Sequence, residues 1–278
     1  MKVQGLLHKM NSSLQSPVRY ELVLSGQTVL LNDAIGKQIK IEYLQKIECI
    51  HCGRLTKKSF SQGYCYPCFS SLAQCDICIV SPEKCHFHLG TCREPEWGQA
   101  YCMKPHIIYL SNASGVKVGI TRETQIPTRW IDQGAIQALP ILRVSKRYHA
   151  GLIETAFKKY VSDRTNWRNM LKNEVTEVDL YEVFQGLWAR VKSELDAELL
   201  ADLELIAEPE AAVKIDFPAL SYPVKVTSFN LDKLPTVEGR LEAIKGQYLI
   251  LDNGVINIRK YGGYLVSLEF EQTCAEVP

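Results

Sequence analysis

Four cysteines in the first quarter of the chain have the spacing of a metal site. Cys49 and Cys52 form one C-x2-C pair, Cys65 and Cys68 form another, and twelve residues separate the two pairs. Each pair offers two thiolates on one tight turn, and together they supply the four ligands that a structural zinc ion takes. A glycine follows the first pair, and another lies just before the second. The spacing therefore predicts a zinc ribbon with a structural zinc ion.

Five more cysteines follow between residues 75 and 102, with two histidines among them. The spacing does not select the ligands, because one C-x2-C pair and any two of the other groups complete a tetrahedron. An iron–sulfur cluster is the alternative to zinc here, since it also takes cysteine ligands. Our primary ligand set for this second site, with His88 or Cys102 as substitutes, is Cys75, Cys78, Cys85 and Cys92.

The second cysteine segment is rich in Pro and Gly and lacks long apolar runs, so we expect its metal to be structural and to supply folding free energy. Nine of the ten cysteines lie between residues 49 and 102. Crowding of this kind indicates metal ligation rather than disulfides in a reducing compartment. The tenth, Cys274, stands alone, and we expect it to be inert.

Composition narrows the class of protein. The chain has 278 residues, 46% of them apolar, and a formal net charge of +1. No signal sequence is visible at the start, and there is no uninterrupted run of the length that a membrane helix needs. We therefore expect a cytoplasmic protein with no membrane partner.

The neutral total charge hides two oppositely charged segments. Residues 106–172 contain eleven Lys and Arg against four Asp and Glu, whereas residues 173–212 contain two against eleven. Because phosphate neutralisation by Lys and Arg dominates binding to nucleic acids, the first segment predicts a nucleic-acid partner. We expect DNA rather than RNA, although charge alone does not distinguish the two.

The basic segment begins with a predicted hairpin. An apolar strand at residues 107–110 leads through a polar turn at 111–115 to a second strand at 116–120. Tyr109 lies on the first strand and Gly119 ten positions later on the second, and Arg129 follows after ten more, near the start of a helix. A further helix, predicted for residues 150–160, carries Glu154 as its one acidic residue.

Residues 106–172 resemble the catalytic core of the GIY-YIG endonucleases. Ile-Ile-Tyr ending at Tyr109 stands where that family has Gly-Ile-Tyr, and Lys-Val-Gly ending at Gly119 stands where it has Tyr-Ile-Gly. The resemblance implies phosphodiester hydrolysis, with Tyr109 as general base, Arg129 as phosphate clamp and Glu154 as ligand of a catalytic Mg²⁺ or Mn²⁺. Lys117 replaces the second tyrosine and, although a lysine can bind phosphate, it does not copy a phenol.

The residues that we expect to contact nucleic acid are Lys117, Arg122, Arg129 and Lys158. Structural interpretations stand beside these roles. Tyr109 would face a hydrophobic layer, Arg129 would pair with Asp132 at i+3, and Glu154 would bridge to Lys158 at i+4.

We predict an α+β protein with five parts. A β-rich part (residues 1–48) is followed by a cysteine-rich zinc module (49–105), the GIY-YIG-like α/β core (106–172), an acidic helical segment (173–212) and a β-rich end (213–278). The two β-rich parts are small, and we expect them to pack together. The layout also resembles a family of bacterial proteins to which no activity has been assigned.

Three functions fit this layout. The first is a metal-dependent nuclease with structural zinc. The second is a zinc-containing protein that binds nucleic acid but has lost catalysis. The third is a zinc-stabilised protein-interaction module, and the acidic helices are the only feature that favours it.

Overall fold

The protein is described by a computed structural model, in which residues 1–270 are placed. Cys274 therefore lies outside the described residues. The chain divides into two compact units. Among the described residues, the first contains 1–69, 171–173 and 215–270, and the second contains 70–170 and 174–214. Helices and antiparallel sheets occur together, which confirms the predicted α+β class.

The regular elements are short and numerous. The strands are β1 (Lys2–Leu6), β2 (Asn11–Ser13), β3 (Arg19–Leu24), β4 (Gln27–Leu30), β5 (Gln38–Ile47), β6 (His106–Asn112), β7 (Val116–Arg122), β8 (Gln137–Val144), β9 (Glu204–Leu205), β10 (Val213–Lys214), β11 (Thr236–Lys245), β12 (Tyr248–Leu251), β13 (Gly254–Asn257) and β14 (Tyr264–Phe270). The helices are α1 (Tyr66–Ser71), α2 (Pro95–Tyr101), α3 (Thr128–Asp132), α4 (Arg147–Phe157), α5 (Trp167–Leu171), α6 (Leu180–Lys192) and α7 (Ala197–Asp202). Within residues 1–270, none of these helices combines the length and apolar character required to cross a bilayer.

The first unit joins strands from both ends of the chain in one sheet. Its six strands run in the order β1-β14-β5-β11-β12-β13, and a separate three-stranded sheet has the order β2-β3-β4. Strand β5 lies between β14 and β11, and alternate residues such as Ile39 and Ile41 are buried. This alternation is the pattern expected of a strand with one face on a core.

The alternation of apolar and polar residues also predicts a strand at residues 224–229 in the β-rich end, and this prediction is wrong. Val224 is 91% exposed, and only residues near Ser228 bridge to β13. The alternation of apolar and polar residues there has no neighbouring strand along most of its length, so the backbone has no ladder to join.

The second unit is built on a sheet with the order β10-β8-β6-β7, and β9 also pairs with β8. All seven residues of the central strand β6 are buried. Ile108 and Leu110 of β6 lie in a hydrophobic core with Ile153 and Phe157 of α4 and Phe184 of α6. Tyr109 lies between them in sequence, so its side chain leaves the sheet on the opposite face.

The acidic segment is less helical than predicted. Residues 173–179 are not helical, and the two helices that follow are separate. The side chain of Asp179 accepts hydrogen bonds from the backbone N–H groups of Tyr181 and Glu182, and Asp196 accepts one from Leu199 N–H. Aspartate at these N-cap positions satisfies donors that a helix start leaves free, which fixes where each helix begins.

We expect Gly151→Ala to destabilise the second unit. Gly151 lies on α4 where the helix meets the turn at residues 82–84, and a Cβ there would be 2.5 Å from Glu83 N and 2.6 Å from the Pro82 carbonyl carbon. Both are backbone atoms, so relief requires the turn to move. We expect a loss of about 1–3 kcal/mol in the free energy of unfolding, measured by denaturant titration.

Gly186→Ala is the matched control. Gly186 also lies inside a helix, α6, but no atom lies within 4 Å of its added Cβ. Alanine there should stabilise the protein by roughly 0.5–1 kcal/mol through helix propensity. Stabilisation by both substitutions would contradict the close contact between α4 and the turn.

Candidate functional site

Tyr109 is held in place by the strand opposite it. It pairs directly with Gly119 in the β6–β7 hairpin, and its side chain is fully buried. A Cβ on Gly119 would lie 2.7 Å from both Cζ and the hydroxyl oxygen of Tyr109, so the glycine leaves the space that the ring fills. The Trp130 ring of α3 contacts the same phenol, with 6.0 Å between ring centroids.

The Tyr109 hydroxyl donates a hydrogen bond to Gln133 Oε1 at 3.0 Å. Burial raises the pKa of Tyr109; the charge of Arg129 and a hydrogen bond from it act in the opposite direction, and the charge of Glu154 adds to the rise. The net direction is upward, so the phenol keeps its proton at neutral pH. Arg129 and Glu154 are therefore close enough to act on this hydroxyl.

Lys117 lies on β7 two positions before Gly119, on the same face of the strand. It is 5% exposed, and burial, followed by the charge of Arg129, lowers its pKa to about 8, against the opposing effect of Glu154 and Asp163. Within residues 1–270 its ammonium group makes no hydrogen bond or ion pair. Lys117 is thus a buried cation beside a second cation.

Glu154 is a buried carboxylate on α4. Burial raises its pKa, and Lys158 opposes this rise as both charge and hydrogen-bond donor. Lys158 Nζ lies 3.4 Å from Glu154 Oε2 and 3.3 Å from Asp163 Oδ2. The i+4 ion pair expected from the sequence is therefore present, and it shares its lysine with a second carboxylate.

Four separate elements supply this group, which we call the β6–β7 site: Tyr109 from β6, Lys117 from β7, Arg129 from α3 and Glu154 from α4. Each of these side chains acts electrostatically on at least one of the others. The arrangement provides two cations, a carboxylate and a phenol, which is a set able to bind an anion and a metal ion.

Other expected residues lie elsewhere or have other partners. Arg122 ends β7, on the opposite face from Lys117, and its guanidinium lies 4.8 Å from the centroid of the Tyr101 ring. Lys158 is held by two carboxylates. Gln133 and Asp163 were not singled out from the sequence, although Gln133 lies at i+4 from Arg129, a spacing that places both on one helix face.

The first cysteine cluster matches its prediction. The sulfur atoms of Cys49, Cys52, Cys65 and Cys68 all lie within 4.8 Å of one another. The backbone supports the first pair as a tight turn, in which Gly53 N–H donates to Cys49 O at 2.9 Å and Gly53 has φ of +70°. Four sulfurs at such distances suit a tetrahedral ion, and zinc is the metal that this donor set favours.

Hydrogen bonds from the backbone also favour the thiolate form of Cys49. Burial tends to raise its pKa, but hydrogen bonds from the backbone N–H groups of Cys52, Cys65 and His51 more than offset this, and the pKa is lowered to about 6. A thiolate is the form that binds zinc, so these bonds favour ligation.

Four of the five cysteines in the second segment line one small cavity. Cys78, Cys85, Cys92 and Cys102 line one small cavity, whereas Cys75 does not line it. His88 also lies outside the lining, and its ring contacts Tyr148 with centroids 5.0 Å apart. Cys102, the predicted substitute ligand, therefore lines the cavity together with three cysteines of the primary set.

We expect Cys65→Ser to remove one equivalent of zinc from the purified chain. With three sulfurs left, the tetrahedron is incomplete, and zinc binding of this kind is worth about 10–16 kcal/mol to small domains. Zinc content by mass spectrometry and thermal unfolding measure the loss. His51→Ser is the control, because His51 lies between the first two ligands but is exposed and outside the cluster. Equal zinc content in both variants would contradict the assignment.

The sequence that forms these sites matches one known protein family. Residues 36–266 match the family described as Protein of unknown function (DUF2797). No curated protein and no solved structure matches the chain. The matched range includes both cysteine clusters and the β6–β7 site, and it covers well over half of the sequence. The chain therefore belongs to the DUF2797 family, whose description assigns no activity.

Proposed function

We propose that the protein is a metal-dependent nuclease that hydrolyses phosphodiesters at the β6–β7 site, with zinc as a structural ion. The observation that carries this proposal is the juxtaposition of Lys117 and Arg129. Burial and the charge of Arg129 both lower the pKa of Lys117, so the folded chain holds two cations together at a cost. Neither makes an ion pair with a carboxylate among residues 1–270. A phosphate group bound between them would offset that cost.

Glu154 suits a hard divalent ion. Its carboxylate is buried, and burial raises its pKa although Lys158 opposes the rise. Mg²⁺ or Mn²⁺ takes carboxylate and water oxygens, and often only one or two carboxylates from the protein. Asp163 is the second carboxylate near this position, through Lys158. Such an ion supplies charge neutralisation at the phosphate and a more acidic bound water.

The side chains of the β6–β7 site would then bind the phosphate and hold one another in position. Arg129 and Lys117 bind the phosphate oxygens and neutralise the charge that grows on them. Tyr109, which keeps its proton and donates to Gln133, positions Arg129 rather than accepting a proton. The resemblance implies that Tyr109 is the general base, but a phenol that keeps its proton does not suit this role.

A second function is favoured by other features of the same site. A phenol that remains protonated, a lysine in place of the second tyrosine and a carboxylate already paired with Lys158 all suit a protein that binds nucleic acid without cleaving it. In this alternative, the β6–β7 site still binds phosphate, and affinity without hydrolysis is expected.

Glu154→Gln tests the nuclease. The wild-type chain should nick plasmid DNA with Mg²⁺ or Mn²⁺ and should not do so with a chelator present. The substitution keeps the size of the side chain but removes the charge, and we expect a loss on the order of 10²–10³-fold in rate. Glu182→Gln, an exposed acid on α6, is the control and should leave the rate unchanged.

The outcomes separate the two functions. Cleavage that survives in Glu154→Gln would exclude Glu154 as the metal ligand. No cleavage by the wild type, together with salt-sensitive binding to DNA or RNA, selects the non-catalytic alternative. Absence of both cleavage and salt-sensitive binding would refute both functions.

Binding of a single-stranded oligonucleotide should weaken as the pH rises through about 8. Lys117 has a folded-state pKa of about 8, lowered from its ordinary value, so it is charged below this pH and neutral above it. Phosphate favours the charged form, so affinity should be constant below pH 8 and then fall by up to about tenfold per pH unit. Fluorescence anisotropy at constant ionic strength measures this.

Lys117→Arg provides the comparison, since a guanidinium stays charged over the whole range. This variant should lose the step near pH 8, whereas Lys104→Arg, at an exposed lysine of the same unit, should retain it. An affinity that rises with pH in the wild type would mean that Lys117 does not bind phosphate.

A further inference from the structure

The second cysteine segment converges on a cavity although the segment itself is irregular. Cys78 lies in a 3-10 turn at Ile77–Ile79, Cys85 follows the turn at Pro82–Lys84, Cys92 precedes α2, and Cys102 directly follows α2. The cavity has a volume of about 10 Å³. That is room for about one small sphere. The size suits a single ion.

We propose that Cys78, Cys85, Cys92 and Cys102 bind a second structural zinc ion and that Cys75 is not a ligand. This assignment is independent of the nuclease proposal, because it concerns the cysteine segment alone. It replaces the primary ligand set expected from sequence by the set that the fold brings together.

The four thiols line one cavity but are less tightly grouped than those of the first cluster. Among residues 1–270, the groups of three or more ligand atoms within 4.8 Å of one another do not include Cys85, Cys92 or Cys102. Cys78 is hydrogen-bonded to Cys85, and Cys92 Sγ donates to Glu94 O at 3.5 Å. A bound zinc ion would draw these turns inward around the cavity that they already line.

A buried guanidinium supports the same set. The charge of Arg147 acts on Cys78, Cys85 and Cys102. One of its nitrogens, Nη2, donates to Ile79 O at 2.6 Å, but its Nε is buried without a hydrogen-bond partner. A zinc ion with four thiolate ligands carries a net negative charge. This charge would pair with the buried guanidinium of Arg147, which neutral thiols leave without a counter-charge. Metal binding would thus compensate both partners.

A competing group of ligands lies at the edge of the cavity. One ligand atom from each of Asp76, Cys78 and His86 falls within 4.8 Å of the others. The carboxylate of Asp76 is already used, because Oδ2 pairs with Arg93 Nε at 2.7 Å and Oδ1 accepts from Cys78 N–H at 3.2 Å. His86 Nδ1 is bonded to Thr91 Oγ1 at 2.8 Å. His86 Nε2 faces Asp76 Oδ2 at 3.6 Å. In our proposal these groups orient the cysteine turns, and the four sulfurs are the ligands.

The second zinc would also support the β6–β7 site. The turn that ends at Cys85 packs its backbone against Gly151 of α4, the helix that carries Glu154. The charge of Glu83 in this turn acts on Glu154. Fixing Cys85 by a metal therefore fixes one wall of the helix on which the carboxylate lies.

Zinc content separates the two candidate ligand sets. The full-length wild-type chain should contain two zinc ions and neither iron nor acid-labile sulfide. Cys102→Ser should fall to one zinc ion per chain, a twofold loss, and Cys75→Ser, the matched control, should keep two. Loss of zinc in Cys75→Ser, one zinc ion in the wild type, or an iron–sulfur cluster would each overturn the proposal.

Thiol mapping in the wild type covers the case in which Cys102→Ser does not fold. The zinc-loaded chain is treated with iodoacetamide, with or without a chelator, and labelled cysteines are located by peptide mass analysis. Cys78, Cys85, Cys92 and Cys102 should become reactive only with chelator, whereas Cys75 should react equally in both conditions. Chelator-dependent protection of Cys75, or labelling of Cys102 without chelator, would contradict the assignment.

Discussion

The register of the β6–β7 hairpin is the constraint on which the candidate site depends. Tyr109 lies opposite Gly119, and the same register directs Ile108 and Val118 into the hydrophobic core on the other face. A slip of one residue would exchange the faces of one strand and push Lys117 into the apolar layer. Burying an unpaired ammonium group there is costly, so the core determines where the polar groups of the site emerge.

The β6–β7 site keeps charges that the rest of the unit does not neutralise. Lys117 is buried beside Arg129, and the carboxylate of Glu154 is buried with a lysine that it shares. Most buried charges in proteins are paired, and departures from this rule concentrate where ligands bind. The electrostatic cost is therefore the physical argument for a ligand with both anionic oxygens and an associated cation.

The second cysteine segment buries little apolar surface. Between residues 77 and 89 the large apolar side chains of Ile77, Val80 and Leu89 are 58%, 76% and 67% exposed, so they contribute little to a core. Short 3-10 turns replace regular helices there. Metal–sulfur bonds are strong enough to order such a segment without apolar burial. The first cysteine cluster lies in the unit that contains the six-stranded sheet, and the cysteine-lined cavity lies in the unit that contains the β6–β7 site.

The sequence by itself determined the features that depend on near neighbours. The cluster from Cys49 to Cys68 follows from two local turns, the hairpin from two short apolar runs, and the ion pair of Glu154 with Lys158 from helical spacing. Only the tertiary structure decided the rest, including the order of the strands in the six-stranded sheet and which cysteines of the second segment line one cavity. The reason is physical: in an irregular segment, spacing does not determine which sulfurs meet, and packing of the turn at 82–84 against α4 does.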